Sequence, residues 1–318
     1  MTKRRIIIDC DPGQDDAVAL FLAMASPDAF DILGITAVAG NVPLPLTQRN
    51  VRQMCDIAGR ADISVYAGCD RPMVRELLTA EKVHGNTGID GIEVVDPQTP
   101  LQEKHAVDFI VETLRAADEG TVTLVPTGPL TNIGTVLDRA PDVLPKIEQL
   151  VIMGGAMREG GNYSPSAEFN ILVDPHAADI VFNCGRPIVA MGLDVTHQVL
   201  STRARVARIK ELDNPVADAT AGMLGFFERH DSKKYGVEGA PLHDPCTIAW
   251  LLQPDLFKGK ECNLSVETKS ELTMGHTAID FWHVTDRPHN VNWIYSVDAD
   301  GFYELLTSRI ARFGSQDG

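Results

Sequence analysis

Two rhythms of apolar and polar positions alternate along the chain. Short, almost wholly apolar runs at 5–9, 32–39, 63–67, 122–127, 149–153 and 188–194 read as strands. Between them, residues 17–25, 47–58, 106–117, 131–139 and 175–183 carry apolar residues at helical spacing, bounded by Pro, Gly or Asp. The strands lack the polar alternation of a half-solvated sheet. The pattern therefore predicts an α/β fold, a Rossmann-like, doubly wound and mostly parallel sheet with helices on both faces. Beyond residue 200 the helical segments lengthen, at 202–212, 215–230 and 243–252. Sheet-like runs return at 262–267, 277–283 and 291–297 without long crossovers, which predicts antiparallel additions near the C-terminus. With no repeat, low-complexity tract or linker in between, a single domain over 1–318 is expected.

Charge narrows the partners. Lys and Arg total 28 against 44 Asp and Glu, a net charge of −16 that repels nucleic acid and anionic membrane. A small neutral molecule or a cation is the expected partner. The apolar stretch at 17–25 is about half of the roughly 20 residues needed to span a bilayer, so no membrane helix is expected. The run at 6–8 falls short of a signal peptide's roughly 7–15-residue core, and a cytoplasmic location is expected. Six cysteines are scattered without a CxxC pair and read as reduced thiols.

The stretch IIIDCDPGQDDAVAL carries the most chemistry, because Asp9, Asp11, Asp15 and Asp16 crowd together with no Lys or Arg among them. A helix N-terminus stabilises a carboxylate by only about 0.3–1 kcal/mol, too little to hold four together. Hard oxygen ligands of this kind suit Ca²⁺ or Mg²⁺. Strand alternation would put Asp9 and Asp11 on one face, at a strand's carboxyl end, where α/β sheets bind ligands. The alternative is a solvated acidic turn with Asp15 as a helix cap. Asn41, Thr127 and Asp194 also follow predicted strands and would place polar groups around the same pocket.

Two later segments add candidates. Residues 154–175 form a Gly-rich loop with Asn162, Glu168 and Asn170 and a helix capped at Asp174, but without the Lys-Ser/Thr of a phosphate loop. Amide and carboxylate groups suit sugar hydroxyls, which need donors and acceptors together. In GAPLHDPCTIAW, His243 and Asp244 precede Pro245 at a helix start. Taken alone, Asp244 is a cap and His243 its structural neighbour.

DCDPGQDDA near the start, VPTGPLTNI at 125–133, AEFNI at 167–171 and HDPC at 243–246 together resemble, in order and spacing, the inosine-uridine nucleoside hydrolase family. The resemblance covers essentially the whole chain. It implies one Ca²⁺ held by the side chains of Asp11, Asp16 and Asp244 and the backbone carbonyl of Thr127. It implies ribose held by Asp15, Asn41, Asn162, Glu168, Asn170 and Asp244, with Met153 beside the sugar. Asp11 would be the general base toward a metal-activated water, and His243 would protonate the departing base. His84 would approach the base, and Tyr235 lies in a segment that would close over it, unless it simply packs on the core. The implied activity is calcium-dependent hydrolysis of the N-glycosidic bond of ribonucleosides of the inosine, uridine and cytidine class, by a homodimer or homotetramer.

Asn86-Thr87 stands where many relatives have Glu-Ser, and this leaves the base preference open. Two rival readings use the same residues. A nucleoside- or ribose-binding protein would need the polar ring but not Asp11 and His243 together. A haloacid-dehalogenase-like phosphotransferase would use Asp9 as nucleophile and Asp11 as acid, yet Gly13 stands where that motif wants Thr or Val.

Overall fold

The computed structural model of the protein describes residues 3–235 and 238–314, the side chains of 228–235 excepted. Its first strand, β1 (Arg4–Cys10), shows how the sheet is covered. Ile6 and Ile8 join one apolar cluster and Ile7 the other, because successive side chains of a strand face opposite sides. The apolar runs continue as β2 (Phe30–Ala37), β3 (Val65–Ala67), β4 (Leu101–Gln102), β5 (Val122–Pro126), β6 (Ile147–Met153) and β7 (Ile188–Met191). Later come β8 (Leu200–Ser201), β9 (Ala240–Pro241), β10 (Phe257–Cys262), β11 (Leu264–Val266), β12 (Thr277–Ile279) and β13 (Val291–Val297).

Nine of these form the main sheet among the described residues, in the order β10-β13-β7-β6-β5-β1-β2-β3-β4. Neighbours from β13 to β4 run parallel, and β10 is antiparallel to β13 at one edge. The sheet is thus mostly parallel, as the apolar strands predict. The antiparallel character near the C-terminus is divided: β10 pairs with β13, β11 pairs with β12 as a separate ribbon, and β13 itself lies parallel to β7. The predicted run at 262–267 is split between two sheets at Asn263.

The chain winds from β1 outward to β4, then returns to β5 on the other side of β1. The strand order therefore reverses between β1 and β5, and a crevice opens at their carboxyl ends. Helix α1 (Gln14–Met24) leaves that crevice and is buried at every residue. A helix apolar nearly all round belongs inside a core, and this one packs against the helices Pro215–Tyr235 and Pro245–Leu252. No helix among the described residues is long and apolar enough to cross a membrane.

Candidate active site

β1 ends at Cys10, so Asp9 and Asp11 do not share a strand face, and they part company. Asp9 points along the sheet, where one carboxylate oxygen accepts from Thr36 Oγ1 and from Asn132 Nδ2 (2.8 Å). It ties β1 to β2 and to the helix Thr131–Arg139, and it does not line the crevice. Burial raises its pKa to about 7. The expectation that Asp9 shares a face with Asp11 toward the pocket is corrected accordingly.

Asp11 sits in the loop beyond β1, packed between two glycine backbones. A Cβ on Gly40 would lie 2.1 Å from its Oδ2, and one on Gly128 would lie 2.3 Å from its Oδ1. The Asn41 backbone N–H donates to Oδ2 (2.7 Å), while Oδ1 is buried with no hydrogen-bond partner. Asp16 is the third residue of α1; it accepts from the Gly13 N–H (3.0 Å) and from Thr127 Oγ1 (2.7 Å). The alternative of Asp15 as the cap is thereby excluded, since Gly13 holds that position and Asp16 reaches back to it. Asp244 does occupy a helix cap position but makes no capping bond; its carboxyl group meets Asp15 instead.

Carboxylate oxygens of Asp15, Asp16 and Asp244 all lie within 4.8 Å of one another. Asp11 stands outside that trio, close enough for its charge to act on Asp244. All four are buried, and Asp15 Oδ1, like Asp11 Oδ1, has no partner. Burial raises every one of these pKa values, and repulsion from neighbouring carboxylates adds to it at Asp11, Asp15 and Asp244, taking Asp15 to about 7 and Asp11 and Asp244 well above the ordinary carboxylate range; at Asp16 hydrogen bonds work against the burial. Among the described residues no Lys or Arg lines the crevice. Orphaned, all-oxygen donors around one point fit a hard divalent cation.

The crevice encloses about 650 Å³, its open mouth included. Asn41, Asn162, Glu168, Asn170 and Met153 line one part of it beside Asp15, Asp16, Thr127 and Asp244. Glu168 caps the short helix Phe169–Val173 by accepting from the Asn170 N–H (2.9 Å), and it also accepts from the Gly155 N–H (3.0 Å). Burial raises its pKa to about 7. Asn170 Nδ2 donates to the Thr127 carbonyl (2.7 Å), the oxygen expected to be a ligand. Asn162 Oδ1 accepts from the Phe169 N–H (2.9 Å), which fixes the Gly-rich loop over the site.

The other part of the crevice is more apolar, with Ala80, Val83, Tyr163, Phe169 and Phe227. His84 stacks on Phe227 at 5.5 Å between ring centroids. Its Nδ1 meets Gln14 Oε1 (2.7 Å), while Gln14 Nε2 donates to the carbonyls of His84 (2.9 Å) and Asp90 (3.1 Å). His243 faces this region with Nδ1 at 2.7 Å from Thr196 Oγ1. Burial, then the nearby His197 and His84, push its pKa well below 6.5. Tyr235 lies outside the described side chains.

Asp194 is the second correction. It follows β7 as expected, but it accepts from the backbone N–H groups of Met157 and Arg158 (both 2.7 Å) and braces the Gly-rich loop instead of lining the crevice. Thr196, two residues on, touches the site only through His243. Gln14, Thr196, Phe227, Gly40 and Gly128 carry no local sequence signal, since each acts on a residue distant in the chain.

An α/β protein with a carboxylate-ringed crevice where its strand order reverses is of the class that binds small ligands outside the carboxyl ends of its strands. Residues 6–304 match the family model of inosine-uridine preferring nucleoside hydrolases, and the chain belongs to that family of N-glycosidic hydrolases. It is 47% identical to the pyrimidine-specific ribonucleoside hydrolase RihA of Photobacterium profundum, over 98% of this chain and 99% of that protein. An uncharacterized protein of Schizosaccharomyces pombe is 50% identical over 97% of this chain and 99% of its own length. The solved purine-preferring ribonucleoside hydrolase of Gardnerella vaginalis superposes with a TM-score of 0.91 at 30% identity, covering 99% of this chain and 100% of that one.

Proposed function

We propose that the protein hydrolyses the N-glycosidic bond of ribonucleosides, calcium-dependently and with pyrimidine nucleosides preferred, releasing ribose and free base. The observation that carries this reading is the group of buried, cation-demanding carboxylates beside a crevice that is polar at one end and aromatic at the other. The pyrimidine preference is supported by the likeness to RihA. Asp11, Asp16, Asp244 and the Thr127 carbonyl would hold the calcium ion. When bound, the ion supplies positive charge that lowers the pKa of a water beside it.

Breaking the ribosyl C–N bond builds positive charge on the sugar and negative charge on the departing base. Asp15, Glu168 and the amides of Asn41, Asn162 and Asn170 would hold the hydroxyls and set carboxylate charge against the sugar. Asp11 would take the proton of the attacking water through its unpartnered Oδ1. The base leaves with the electron pair of the broken bond. His243, kept neutral by burial, would meet it as a hydrogen-bond donor, with His84 and Phe227 against its ring. The phosphotransferase reading loses its nucleophile, because Asp9 is directed at Thr36 and Asn132 and away from the crevice.

The test is release of reducing sugar from uridine, cytidine, inosine and adenosine, before and after chelation. Rapid release from uridine and cytidine that chelation stops and calcium restores is the expected result. Intact nucleosides throughout, in calcium-loaded protein, would leave a binding protein in its place. Light scattering is expected to show a homodimer or homotetramer.

A further inference from the structure

Thr196 is fully buried on the turn Leu193–Thr196, which follows β7. Its backbone is spent on that turn: its N–H donates to the Gly192 carbonyl (3.2 Å), and its carbonyl accepts from Val199 (3.0 Å). Its hydroxyl has one partner among the described residues, His243 Nδ1 at 2.7 Å. Two arrangements satisfy that distance. If Nδ1 carried the proton and donated it, the threonine proton would be left buried with no acceptor, the costlier failure in a buried pair. If the hydroxyl donates, both groups are satisfied and the ring proton resides on Nε2.

His243 lines the crevice, and its Nε2 enters no hydrogen bond among the described residues. The nearby His197 is tilted against His243 at 5.8 Å and directs its own Nδ1 to Glu159 (2.9 Å). We propose that Thr196 is a positioning residue: its hydroxyl donates to His243 Nδ1 and holds the ring as the Nε2–H tautomer, the form that can donate to the departing base. This rests on the hydrolase reading above. In the step concerned, a C–O bond forms to water as the C–N bond breaks. The water proton passes to Asp11, and the electron pair leaves on the base nitrogen, which accepts a hydrogen bond from Nε2–H. Thr196 itself transfers nothing.

Two readouts test the inference in calcium-loaded protein. The first is nitrogen–proton correlation NMR of the histidine rings, with His243→Gln assigning the signal. His243 is expected as Nε2–H in the wild type and in Thr196→Ser, and to lose that single tautomer in Thr196→Val, which keeps the shape and removes the hydroxyl. The second readout is the leaving-group dependence of turnover. Thr196→Val is expected to lower kcat on uridine by about tenfold or more, a wrong tautomer being costly, and to spare a nitrophenyl riboside, whose leaving group needs no donor. Thr196→Ser should restore uridine turnover. An Nδ1–H signal in the wild type, an unchanged tautomer in Thr196→Val, or equal losses on both substrates would overturn the inference. Should the valine variant fail to fold, the wild-type and serine spectra decide. Failure of the hydrolase reading is separate: it shows as intact nucleosides with wild-type protein, whereas the tautomer is read without turnover.

Discussion

Asp11 has one carboxylate oxygen held by a backbone N–H and the other buried without a partner. Such a group has a high demand for a proton or a cation and little freedom to turn. Asp11→Ala is therefore expected to lower uridine turnover on the order of 10³-fold or more, measured in single-turnover reactions, and near-wild-type turnover would remove its role as base. His243→Ala should cost about 10²–10⁴-fold on uridine and far less on a nitrophenyl riboside; equal losses would reject its action on the departing base. At this scale the acidic residues were legible in DCDPGQDDA, because unpaired carboxylates at such density need an explanation. Asp9 was misread, since strand alternation pairs it with Asp11 only if the strand continues, and β1 stops at Cys10. Thr196 and Gln14 were invisible, their meaning lying wholly in histidines 47 and 70 positions away.

The elements bring their ends to the site through backbone closeness as much as through side chains. The loops after β2 and β5 pass Asp11 at distances that leave no room for a Cβ at Gly40 or Gly128. Gly128→Ala is expected to push the Asp11 carboxylate from its place and weaken calcium binding by about tenfold or more, at a cost in stability of about 1–3 kcal/mol. Calorimetric titration and thermal melting check the two effects, and wild-type calcium affinity in the variant would show that the loop yields freely. The long apolar strands β1, β5 and β6 were legible because parallel strands buried on both faces read as unbroken apolar runs. The two-residue β4 and the division at Asn263 were not, since pairing with distant chain decides them. The reversal of strand order that opens the crevice is likewise a property of the assembled sheet.

Over the whole molecule, the raised carboxylate pKa values couple stability to pH and to metal. Folded Asp15 titrates at about 7 against an ordinary 3.8, and the other carboxylates of the cluster shift the same way. Between those values the folded chain binds more protons than the unfolded one, so the chelated protein loses stability as pH rises from about 4 through 7. Calcium bound as proposed would take the deprotonated form. The gap in Tm between loaded and chelated protein should thus be small near pH 5 and widen to several degrees at pH 8, as thermal melts would show. A chelated protein that grew more stable over that range would contradict the cluster's geometry. Helix α1, which bears Asp15 and Asp16, has no exposed residue. Its amide hydrogens should accordingly be among the slowest to exchange with solvent, opening only when the entire chain does. An ion bound there grips the molecule at its most persistent part, and its arrival would slow isotope exchange throughout the core, far beyond the loops it touches.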